Sequence, residues 1–202
     1  MKKCIATLLL LACVACAKTD PKIVAKQAIY ADMTMDSVTI KILASKATKD
    51  SILSEMRKSF STQPEGMDSI SFETLLSSMK KNPEKFMQVS NFRDTFPYQS
   101  ADTVAVCFDA QDLDIKKMSE MTLEHLNLSG LESFSLLQKK ISQTMLNLVD
   151  SLAVSELPYE EKKTGVVLLV NEEGEWKLLN LPIYITNNNY YNSHNSCIFV
   201  YT

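Results

Sequence analysis

The chain is predicted to be an α+β protein, with N-terminal helices followed by a curved antiparallel sheet packed on a long helix. Three observations carry that prediction. Helical spacing dominates the first half, where Ile52, Leu53, Met56 and Phe60, then Phe72, Leu75, Leu76 and Met79, recur in steps of three and four. The β-branched run Thr103-Val104-Ala105-Val106-Cys107-Phe108 alternates Val104, Val106 and Phe108 on one face. A stripe of Phe134, Leu137, Ile141, Met145, Leu148 and Leu152 then predicts the long helix, and two further strands close the domain.

The first element is not part of that domain. Lys2 and Lys3 precede an uncharged run from Ile5 to Ala12 that is too short to cross a bilayer and has the length of a signal-peptide apolar region. Leu10-Leu11-Ala12-Cys13 and Cys13-Val14-Ala15-Cys16 both resemble the lipobox of bacterial lipoproteins. Residues 1–16 are therefore expected to be a lipoprotein signal peptide. Cys16, with Cys13 as the alternative, is the expected site of acylation by chains such as palmitate. The partner this implies is a lipid bilayer, and the place is the cell envelope. Ala17, where an aspartate would favour inner-membrane retention, points to the outer membrane or cell surface.

Residues 17–185 are expected to form a single domain. Asp20-Pro21 reads as an N-cap and first helical residue, opening a helix with Ile23, Val24, Ala28 and Ala31. Ser37–Leu43 is ambiguous, because Val38, Ile40 and Ile42 alternate like a strand while Ile42-Leu43 also closes a helical turn. Thr48 or Asp50 caps the next helix, and 61–66, with Pro64, is a loop. A helix near Ser71 carries Ile70 and Leu75 in staple spacing. Asn82-Pro83 stops it and starts a short helix holding Phe86 and Met87. After Asp109 helix is expected again, broken near Ser129-Gly130, where Ser129 and Glu132 have capping-box spacing. The long helix ends before Pro158. Strands at 164–170 and 175–185 are joined by Asn171-Glu172-Glu173-Gly174, with Trp176 and Leu178 on one face. Residues 186–202 form a polar Asn- and Tyr-rich tail that ends in Ile198-Phe199-Val200-Tyr201. It is expected to be loosely held, with a late edge strand as the alternative.

About 186 residues follow the signal, enough for one cored domain. Removing Lys2 and Lys3 lowers the basic residues from 21 to 19 against 24 acidic ones, a net charge of −5 that disfavours nucleic acid as a partner. Four glycines leave little room for phosphate-cradling loops. Cys107 and Cys197 either form one disulfide in an oxidising compartment or leave Cys107 buried and unpaired.

The chain resembles small bacterial lipoproteins of undefined function whose domain is similar to the cone-shaped α+β fold of nuclear transport factor and the cystatin-like proteins. The residues that carry the resemblance are Thr103-Val104-Ala105-Val106 with Ala110-Gln111-Asp112-Leu113, the long helix, and Gly165-Val166-Val167-Leu168-Leu169-Val170 with Gly174-Glu175-Trp176-Lys177-Leu178. They span roughly 25–180. All are structural motifs, and no catalytic residue is implied.

A Cys107–His125–Asp109 triad can be written, but a strand cysteine facing a core is the commoner use. His194 lies in the tail, and no Cys or His has zinc-site spacing. Asp109-Ala110-Gln111-Asp112-Leu113-Asp114 with Glu120 fails as a calcium loop, because Leu113 and Asp114 stand where a ligand and a glycine are required; capping by Asp109 or Asp112 is simpler. Glu160-Glu161-Lys162-Lys163 reads as a solvated, edge-protecting segment, and the ten methionines as core filling. No catalytic residue, metal or cofactor is assigned. Phe108, Met145, Leu148 and Trp176 are the expected walls of an apolar hollow. The expected function is a non-enzymatic binding or accessory module for a small apolar ligand or another envelope protein. A small hydrolase or isomerase using polar groups inside the cone is the alternative.

Overall fold

The computed structural model describes residues 19–60, 69–95, 100–126 and 134–185. The signal segment with Cys13 and Cys16, the loop at 61–66, the Ser129–Glu132 pair and the tail at 186–202 with His194 and Cys197 lie outside them. The described residues form an α+β fold of seven α-helices and five strands. In order these are α1 (Pro21–Met33), α2 (Ser37–Leu43), α3 (Lys49–Phe60), α4 (Ser69–Lys81) and α5 (Pro83–Phe86). Then come β1 (Met87–Thr95), β2 (Thr103–Asp112), α6 (Ile115–His125), α7 (Phe134–Ser151), β3 (Lys163–Glu172), β4 (Glu175–Leu178) and β5 (Ile183–Ile185).

All strand pairs are antiparallel. β1, β2, β3 and β4 neighbour one another in that order, and β5 continues the β4 edge by pairing with β3. α1 begins as expected: Asp20 accepts from the Lys22 amide at 2.9 Å, and Pro21 supplies a fixed φ where no N–H is needed. Its buried stripe of Val24, Ala25, Ala28 and Ile29 packs against Val104, Val106, Phe108, Val167, Leu169 and Leu178 in the main core. Small alanines let this helix approach the sheet closely. The long helix, α7, gives Leu146 and Val149 to a second cluster with Phe86, Leu113, Met118 and Leu157. Lys85 closes the end of α7, its Nζ donating to the carbonyls of Val149, Asp150 and Leu152 at 2.8, 2.8 and 3.0 Å.

One open alternative is decided and three expectations are corrected. Ser37–Leu43 is helix, because Asp36 accepts from the amides of Val38 and Thr39 and starts it. Met87 opens a strand that the sequence reading left out. Asn91, at φ 52°, and Phe92 form a bulge opposite Phe108 that breaks the two-residue alternation of β1. Helix does not resume directly after Asp109: β2 continues to Asp112, and the cap is Asp114, which accepts from the Lys117 amide at 3.0 Å. The segment 175–185 is two strands. Pro182 offers no N–H, and between the strands Asn180 uses its side-chain oxygen to accept from the Leu168 amide at 3.1 Å.

The β3–β4 hairpin matches its prediction and sharpens it. Glu173 and Gly174 both have positive φ, at 57° and 92°, the two-residue turn whose twist suits a hairpin. Asn171 Oδ1 accepts from the Gly174 amide at 3.0 Å. Gly165 matters for another reason. A Cβ there would lie 2.3 Å from Phe108 Cζ, so only glycine admits the ring across the β2–β3 pair.

Candidate functional site

Helix α2 lies between two open hollows on the surface. It is a single amphipathic element of seven residues: Ile40 is fully buried, whereas Val38 and Ile42 are 66% and 64% exposed. Two open hollows flank it and share Lys41. One, of about 310 Å³, is lined by Ile42 and Ala44 with Lys41, Lys46, Lys49, Lys177 and the single acid Glu172. The other, of about 550 Å³, has Met35, Val38, Leu53 and Met56 with Lys41 and Arg57. The edge of β4 supports this surface, since the Ser45 amide and the Thr48 hydroxyl both donate to the Leu178 carbonyl, at 2.9 and 3.1 Å. Some rim charge is neutralised locally. Lys46 pairs with Glu173 at 2.9 Å and Lys177 with Glu175 at 2.7 Å. Lys41, Lys49 and Arg57 show no ion pair among the described residues and leave the rim cationic. Such a surface suits an apolar body carrying a negative group.

A second concentration of polar groups lies where the end of α1 meets β2 and β5. Burial, reinforced by Glu55, raises the pKa of Asp32 to about 6. Burial, reinforced by Asp32 and Asp112, pushes the Tyr184 phenol up as well. The Tyr184 hydroxyl meets Met87 Sδ at 3.6 Å, and its ring stands edge-on to Phe108. Lys163 pairs with Asp112 and lies 4.4 Å from the centre of the Tyr184 ring, a cation–π arrangement. Lys163 is therefore half-buried structure, and only Glu160, Glu161 and Lys162 of the charge run are solvated.

The four residues expected to line one hollow are not brought together. Phe108 is fully buried in the main core, with Trp176 packed against it, while Met145 and Leu148 pack against the second cluster. The space between α1 and the sheet is filled by Phe108 with Phe92 at 6.2 Å and Tyr184 at 5.8 Å. The triad residues also have other duties. Cys107 is disulfide-bonded, which removes its thiol, and His125 is exposed at the end of α6 with Nδ1 2.8 Å from the Met121 carbonyl. Asp109 accepts from Asn91 at 2.8 Å and Arg93 at 3.2 Å, so it holds the β1 bulge. Among the described residues no three His, Cys, Asp or Glu side chains are grouped to hold a metal. The α2 surface was missed because it joins residues from 35 to 177. Its one sequence signal was the pair Val38 and Ile42, read as half of a strand alternation.

Fold and site define an α+β domain with a cation-rimmed surface hollow. No family model matches the chain, and neither does any curated protein or solved structure.

Proposed function

We propose that the protein is an envelope lipoprotein, held at the outer membrane or cell surface by acylated Cys16, or alternatively Cys13, and acting as a non-enzymatic binding module. The observation that carries the binding half is the α2 surface: apolar Val38, Ile42, Leu53 and Met56 beside Lys41, Lys49 and Arg57. Its ligand is a small amphipathic anion, or the matching patch of another envelope protein. The anchoring half rests on the charge, apolar run and cysteine order of residues 1–16. Among the described residues no helix is long and apolar enough to cross a membrane.

Anilinonaphthalene sulfonate, an aromatic body with one sulfonate, is a direct probe of the surface. Saturable one-to-one binding is expected, weakened about tenfold by Lys41→Glu or Val38→Asp, which is about 1.4 kcal/mol. Binding untouched by both substitutions sinks the assignment. Anchoring is read separately, by intact mass of the membrane-extracted chain.

A second reading, a small hydrolase or isomerase, draws on one observation: the Asp32 carboxyl titrates near 6 beside Tyr184, in the range useful for proton transfer. It requires that hydrolysis of p-nitrophenyl acetate, if the full chain shows any, be abolished in Asp32→Asn with probe binding intact.

A further inference from the structure

The sheet has a second buried face. Ala105 and Cys107 are each 1% exposed and Val166 5%, although the cluster they form with Leu168 and Ile183 contains strand residues alone among those described. They alternate with Val104, Val106 and Val167, which face α1, so their side chains point away from that helix. Cys107, at the centre of this cluster, is disulfide-bonded. The other cysteines, Cys4, Cys13, Cys16 and Cys197, all lie outside the described residues.

We propose that residues 186–202 dock on this second face and that Cys107 Sγ is bonded to Cys197 Sγ. Reach favours it. β5 ends at Ile185, and its Ile183 pairs with Val166, which in turn pairs with Cys107, so two strand spacings of about 10 Å separate them. The chain between Ile185 and Cys197 can extend roughly 40 Å. Chemistry favours it too: Cys197 is followed directly by Ile198-Phe199-Val200-Tyr201, an apolar run placed to cover Ala105, Val166, Leu168 and Ile183. The last argument rests on the lipoprotein reading. With Cys16 as the acylated residue, cleavage removes Cys4 and Cys13 and acylation consumes the Cys16 thiol, so among the cysteines of this sequence Cys197 is left to pair with Cys107. In forming the bond, both S–H bonds break and one S–S bond forms. The two electrons and two protons pass to the disulfide of an envelope thiol oxidant, which leaves as a dithiol.

The test is a tryptic map, without reductant, of the full chain expressed with its own leader, extracted from membranes and alkylated. One species joining 94–116 to 178–202, separated by reduction, is expected. Alkylated Cys107, or Cys107 joined to an N-terminal peptide, overturns the pairing. Intact mass of the same sample reports acylation independently, so an unacylated chain carrying the Cys107–Cys197 link defeats only the lipoprotein reading. Docking is tested in full-length Cys197→Ser, where Cys107 should alkylate slowly and about tenfold faster once Phe199→Asp is added. Equal rates overturn the docking.

Discussion

Asp109 shows how one carboxylate is assigned by its neighbours. In sequence it stands beside a cysteine and upstream of a histidine; in the fold it binds Asn91 and Arg93 across the strand pair and makes a residue at φ 52° tolerable. Asp32 is the opposite case, an acid with burial against it. Its pKa is raised from 3.8 to about 6, so the folded state holds the proton more tightly than the unfolded chain does. Folding therefore loses stability as pH rises from about 4 to about 6, and the full cost remains above that. Asp32→Asn is expected to stabilise the protein by about 1–2 kcal/mol at pH 7 and by nothing near pH 3.5. Urea unfolding at both pH values checks this. A constant difference would mean that the carboxylate is not the cause.

At the scale of elements, two contacts decide whether neighbours fit. The β2–β3 pair depends on Phe108 lying over Gly165, where an added Cβ would come within 2.3 Å of the ring. Gly165→Ala is expected to cost about 2–3 kcal/mol, and Phe108→Leu should make the glycine replaceable, so that the double variant loses less than the sum. Thermal unfolding of the four-member cycle measures the coupling. The end of α7 depends on Lys85, which meets the carbonyls of Val149 and Asp150 that the helix leaves unpaired and that of Leu152 just beyond it. Lys85→Met keeps the aliphatic length and removes the donor. A loss of about 1–2 kcal/mol is expected, lowering Tm by about 3–6 °C. An unchanged Tm would show that water replaces the ammonium without cost.

Across the molecule, the buried apolar side chains among the described residues fall into three clusters. The first lies between α1 and the sheet, and the second gathers α5, α6, α7 and Leu113 at the end of β2. The third is the strand face around Cys107. Anchoring belongs to this scale as well, because it concerns where the domain sits and not how it folds. Cys16→Ser is expected to move the protein from the membrane fraction to the soluble envelope fraction while leaving its unfolding curve unchanged. If Cys13→Ser does this and Cys16→Ser does not, Cys13 is the first residue of the mature chain.

The alternation of Val104, Val106 and Phe108, the Asp20-Pro21 start and the stripe of α7 were legible in the sequence because each is a local pattern repeated at the period of its element. The fold class followed from them. β1 was not legible, since its bulge removes the alternation and only pairing with β2 makes it a strand. The α2 surface was hidden for the same reason: Lys41, Arg57 and Lys177 converge only after helices and hairpin are packed. Sequence by itself determined which segments have a buried side. The tertiary structure decided which buried sides meet, because burial is a local property of residue type, whereas a site is a distance between residues far apart in the chain.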